Sequence, residues 1–150
     1  MNYNNFPFQI LILLIFLQII MGAFVSGLDA GQVYQTWPLM GSTYLPNDIT
    51  YNGLIHALEF DNHSLVQFYH RNLAYVIILY SFFLAIFIVK RKISDLINPL
   101  KILFIFLFLQ VVLGIYTLIS GLNIYLASLH QITSVLLVFS ALNLYYLRAK

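Results

Sequence analysis

Four apolar stretches, each long enough to cross a bilayer, decide what this chain can become. They run over about 8–25, 65–89, 99–118 and 124–147. A helix needs roughly 17–25 such residues to traverse the hydrocarbon core. Inside lipid, every backbone N–H and C=O must be satisfied within the protein, which leaves helices and closed barrels. The alternating strands of a barrel, about 10 residues each, have no counterpart here. The sequence therefore predicts an all-α membrane protein, one four-helix transmembrane domain over 1–150. Charge agrees: only 8% of residues are charged, against roughly 25% in a soluble domain. A net charge of +2 gives no footprint for nucleic acid; lipid is the partner that the composition demands. No Lys or Arg precedes the first stretch, and it outruns a signal-peptide core of about 7–15 residues, so it reads as a retained helix.

The basic residues orient the bundle. Lys90, Arg91, Lys92 and Lys101 lie in or beside the loop between the second and third stretches, and Arg148 and Lys150 end the chain. All six fall on one side of a four-span topology, and only Arg71 falls near the other. The positive-inside rule then puts both termini inside. Asp29, Asp48, Glu59 and Asp61 all lie in the opposite, outer loop of about 26–64. That loop is too long for a simple turn, and such loops are lids, binding loops or disordered segments. Its apolar side chains, among them Tyr34, Trp37, Leu54, Ile55 and Leu58, argue against disorder.

An internal echo links the first and third stretches. Leu17-Gln18-Ile19-Ile20-Met21-Gly22 parallels Leu109-Gln110-Val111-Val112-Leu113-Gly114. In each, Gln precedes Gly by four, so both lie on one helix face. After each comes a loop, then an inward-running helix with a histidine early in it, His70 or His130. The chain reads as two repeated hairpins in parallel orientation.

That repeat puts the two histidines at the same depth on helices of the same direction. Neutral imidazole is a good iron ligand, and helix bundles build cofactor sites from facing side chains. The pair suits the two axial positions of one haem. Ala74, Ala127 and Ser134 leave room beside the ligands, and Gly22 and Gly114 let the other helices approach a flat ring. Arg71 stands where an outward propionate would find a partner. A single intramembrane histidine often does no more than bond a neighbouring helix; the matched pair argues for more. Gln18 and Gln110 read first as interhelical hydrogen-bond partners. His56 and His63 fall in the outer loop, facing solvent, with only weak support for a ligand or proton-relay role; Asp29, with Arg71, would order that loop or the propionates, and Glu59 receives no role. The chain has no cysteine, which excludes disulfides, thiolate metal sites and covalent haem attachment.

The segment from Gly22 through Gly27-Leu28-Asp29-Ala30-Gly31 to Tyr34, then Trp37-Pro38-Leu39-Met40-Gly41, resembles the haem A synthase family. Val66-Gln67-Phe68-Tyr69-His70-Arg71, Gln110 to Gly114 and Leu129-His130-Gln131 continue the likeness in order. It is similar to the C-terminal four-helix half of the proteobacterial and mitochondrial type. The family has two such halves and oxidises a methyl group of haem O to a formyl group, making haem A for cytochrome oxidase. The resemblance implies that His70 and His130 are axial ligands of a haem b, which passes electrons from a substrate-binding half. The catalytic half carries Glu three residues before its first histidine; this chain has Gln67 there, so no catalytic residue is named.

The resemblance thus implies an oxidoreductase of haem biosynthesis, in a bacterial inner or mitochondrial inner membrane. It needs a separate N-terminal half or a second copy, and would work beside the haem O supply enzyme and cytochrome oxidase assembly. Two rivals stay open: a stand-alone membrane b-type cytochrome carrying electrons, and a cofactor-free assembly scaffold.

Overall fold

The computed structural model describes residues 5–48 and 59–150. Four helices dominate it: α1 (Phe6–Gly27), α2 (His63–Lys90), α3 (Ile97–Ile119) and α4 (Ile124–Ala149). Each is long and apolar enough to span a membrane, and the chain is an integral membrane protein. Among the described residues the only β pairing is an isolated bridge, Met40 to Thr43.

The helix starts follow from local chemistry. Pro7 sits in the first turn of α1, where its missing N–H costs nothing. The Asn62 side chain accepts the Leu65 N–H at 3.1 Å. That of Asn123 accepts those of Tyr125 and Leu126 at 3.0 and 3.4 Å. Each cap satisfies N–H groups that a helix start leaves unpaired. The Asn62 cap also draws His63 into the helix. This histidine, expected in the loop, is the first residue of α2, and it is exposed as expected. The turn between α3 and α4 closes on Gly121, at φ +70°, and Leu122, at φ +63°.

Helix α1 packs on α2 and α4, and α3 packs on α4 and α2. The four form a ring in which α2 and α4 stand on one diagonal and α1 and α3 on the other. Packing along this ring is uneven. At the basic end, Phe8, Leu11 and Ile15 of α1 meet Leu84 and Ile88 of α2 in a solid layer. Leu100, Leu103 and Leu107 of α3 and Leu137, Ala141 and Leu144 of α4 complete it. Leu96, in a single 3₁₀ turn before α3, joins the same layer. At the other end, no residue of 16–27 in α1, 108–119 in α3 or 124–136 in α4 is buried. Of the four helices only α2 has buried residues at that end, Ser64 to Gln67.

The loop after α1 folds over that end. Ala30, Gly31, Met40 and Pro46 are buried. Gly31 approaches the α3–α4 turn so closely that a Cβ there would lie 2.8 Å from Leu122 Cδ2. The Gly-Leu-Asp-Ala-Gly segment therefore reaches from the first hairpin to the second. His56, Leu54, Ile55 and Leu58 lie outside the described residues.

Candidate functional site

His70 stands seven residues beyond the first residue of α2. His130 stands six beyond the first of α4. At roughly 1.5 Å per residue, the depths differ by about one residue. Helices α2 and α4 stand on one diagonal, and each ring lies against a glycine of a neighbouring helix.

Each ring is seated by a neighbouring helix, His70 by α1 and His130 by α3. A Cβ on Gly22 would come within 3.2 Å of His70 Cε1, and one on Gly114 within 3.1 Å of His130 Cε1. A Cβ at either position would crowd the ring, which would have to give way by a few tenths of an ångström. Four residues before each glycine, a glutamine ties the helices together. Gln18 Nε2 donates to the His70 carbonyl at 3.1 Å. Gln110 Nε2 donates to the His130 carbonyl at 2.8 Å and to Thr133 Oγ1. The Gln–Gly spacing read in the sequence thus bears on the histidines themselves.

The two seats differ at the ring. Gln18 Nε2 also lies 3.2 Å from Nδ1 and 3.3 Å from Nε2 of His70. Among the described residues nothing equivalent reaches His130, whose buried Nδ1 has no hydrogen-bond partner there. Ala74, Ala127 and Ser134 keep part of their surface accessible beside the rings.

Arg71 turns toward the loop. Its Nη1 donates to the carbonyls of Thr36 and Leu39 at 2.9 and 3.3 Å, and its Nη2 to that of Tyr34 at 2.9 Å. Its Nε is buried without a partner among the described residues. Gln67, buried, donates from Nε2 to the same Tyr34 carbonyl at 2.9 Å. A carboxylate in its place has no proton to give. A second anchor lies at Asp48, which accepts from Tyr34 Oη at 2.7 Å and Ser64 Oγ at 2.6 Å. Burial alone would raise the Asp48 pKa, but the bonds from Ser64 and Tyr34 hold it below its ordinary 3.8. Burial and the bond to Asp48 raise that of Tyr34 above its ordinary 10.0. Sequence reasoning missed Gln67 and Asp48 as loop anchors. Asp29 caps the 3₁₀ turn Ala30–Gln32 from a left-handed conformation, without a side-chain bond.

The whole arrangement is a membrane four-helix bundle that presents two imidazoles across one diagonal under a folded loop. A family model described as cytochrome oxidase assembly protein matches residues 5–142, and the chain belongs to that family. It is 44% identical over 130 residues to the haem A synthase of Pelagibacter ubique (strain HTCC1062), covering 85% of this chain and 37% of the relative. To that of Wolbachia pipientis wMel it is 38% identical over 140 residues, 93% of this chain and 38% of the relative. To that of Bartonella henselae it is 38% identical over 126 residues, 81% of this chain and 34% of the relative. The chain spans about two fifths of the length of the curated relatives it matches. No solved structure matches it.

Proposed function

We propose that this chain serves haem A biosynthesis as the haem-b-holding half of a haem A synthase, with His70 and His130 as the axial ligands. The observation that carries the reading is the paired seating of two histidines on diagonal helices, each against a glycine. The fit rests on three features. At the level of the rings no residue of α1, α3 or α4 is fully buried. The glycines leave the imidazole edges uncrowded, and His130 Nδ1 lacks a partner among the described residues. When bound there, the haem supplies reversible one-electron chemistry at iron. The chain's own residues hold and orient it: α2 and α4 present the imidazoles, and the loop pinned by Arg71 and Gln67 excludes water. The Arg71 Nε–H is a donor left for a propionate.

Gln67 supports assigning this chain to the electron-holding half. Its amide is engaged as a donor to Tyr34, and it offers no carboxylate for chemistry beside His70. Oxidation of the haem O methyl group to formyl then belongs to a second four-helix unit, either a separate substrate half or a second copy. The equivalent Gln–Gly–His contacts in both hairpins favour an internal repeat. The six basic residues favour both termini lying inside.

A reduced-minus-oxidised absorption spectrum of the protein purified in detergent tests this. The wild type should give a low-spin b-type signal that both His70→Ala and His130→Ala abolish. A wild type produced with ample haem that carries none would overturn the reading.

A further inference from the structure

The stretch after α1 is fastened to the two hairpins in different ways. On α2, Arg71 holds the carbonyls of Tyr34, Thr36 and Leu39, and Gln67 shares that of Tyr34. Tyr44 donates to Asn72, and Asp48 accepts from Ser64. Among the described residues, the hydrogen bonds that 28–48 make beyond themselves all go to α1 or α2. Toward the second hairpin the stretch has an apolar contact instead, buried Gly31 against the Leu122 side chain. The chain from Gly31 to Tyr34 thus passes from one hairpin to the other. His70 follows Gln67 in α2, and His130 follows Leu122 into α4, so both histidines lie below the crossing.

Leu122 is an unfavourable residue for its turn. Its φ is +63°, a left-handed conformation that glycine and asparagine take readily and leucine does not. Its side chain lies where a Cβ on Gly31 would come within 2.8 Å of Leu122 Cδ2. We infer that residues 28–48 form a lid hinged on α2 and latched to the second hairpin by Leu122 on Gly31, and that this latch governs passage of haem to and from the histidine pair. The inference rests on the haem reading above. Four hydrogen bonds from Arg71 and Gln67 hold the stretch on α2, whereas one partly buried side chain holds it on the α3–α4 turn. The weaker fastening parts first, so the lid opens at the turn.

Haem transfer from the loaded protein in detergent to an excess of apomyoglobin measures the opening. Leu122→Gly and Leu122→Asn suit the left-handed turn and remove the latch; the second decides if the first does not fold. Each should speed transfer roughly fivefold, the scale of losing one partly buried leucine, with the low-spin spectrum intact. Ile124→Ala, which removes an exposed side chain beside the same turn, should transfer haem at the wild-type rate. Hydrogen exchange of the haem-free protein should rise at 29–33 in the Leu122 variants and stay unchanged at 34–39. Wild-type transfer or wild-type exchange in the Leu122 variants, equal acceleration in Ile124→Ala, or loss of the low-spin spectrum in the Leu122 variants overturns the inference and leaves the haem reading standing. A wild type without haem removes both.

Discussion

At the scale of single residues, the glycines carry the sharpest test. Gly22 and Gly114 face imidazoles at distances where a Cβ is already tighter than an ordinary contact, so a branched side chain must push the ring aside. Gly27, in the same helix as Gly22, has nothing within 4 Å of the point where a Cβ would stand. Gly22→Val and Gly114→Val should therefore displace the rings and lose the haem signal while circular dichroism keeps its helical content. Gly27→Ala should retain haem fully and, by restricting the unfolded chain, gain up to about 1 kcal/mol. Equal haem loss in all three would show that the close approach is irrelevant. These positions were legible in the sequence because a helix repeats every 3.6 residues, so Gln, Gly and His fall on predictable faces. Arg71 shows what was not legible. Its neighbour His70 suggested a carboxylate partner, yet its two Nη groups bind carbonyls of residues 34–39. Carbonyl acceptors leave no mark in a sequence, since every residue has one.

At the scale of elements, the loop after α1 depends on two unlike anchors. Arg71 fixes the stretch 34–39 by geometry, with a planar fork that a lysine cannot reproduce. Arg71→Lys should raise hydrogen exchange and protease cleavage in that stretch, with α1–α4 protected as before. Unchanged exchange there would deny Arg71 its role. Asp48 fixes the loop to the start of α2 by charge. Its lowered pKa means that the stabilisation is complete above the ordinary 3.8 and fades as pH falls through the lower folded value. The raised pKa of Tyr34 acts in the opposite sense. Its contribution is whole below the ordinary 10.0 and is lost above the folded value. Loop protection should thus hold across neutral pH and fail at both extremes. Asp48→Asn should remove the acid limb; persistence of that limb in the variant would place its origin elsewhere. Helix ends were less legible than helix interiors. Polar His63 reads as loop until the Asn62 cap extends α2 around it. A cap of this kind is worth about 1 kcal/mol, enough to outweigh the polarity of one turn.

At the scale of the whole molecule, the bundle has two ends with different sources of stability. The basic end is a packed apolar layer complete in itself: Leu84, Leu103 and Leu144 are at most 1% exposed. Large-to-small substitution there costs about 2–5 kcal/mol, because a cavity replaces contacts. At the loop end α1, α3 and α4 have no comparable buried layer, and the haem reading puts a bound group among them. A ligand that binds only the folded form stabilises what it touches in proportion to its occupancy. Haem should therefore act on half of the molecule. Hydrogen exchange measured with and without haem should gain protection in 16–27, 108–119 and 124–136, and little in 81–90, 97–107 and 137–147. Leu103→Ala should lower the thermal midpoint whether haem is present or not, whereas His130→Ala should lower it only under haem-loaded conditions. Protection spread evenly over both ends would mean that the loop end closes on its own, and that the region around the histidines is not where the stabilising group resides.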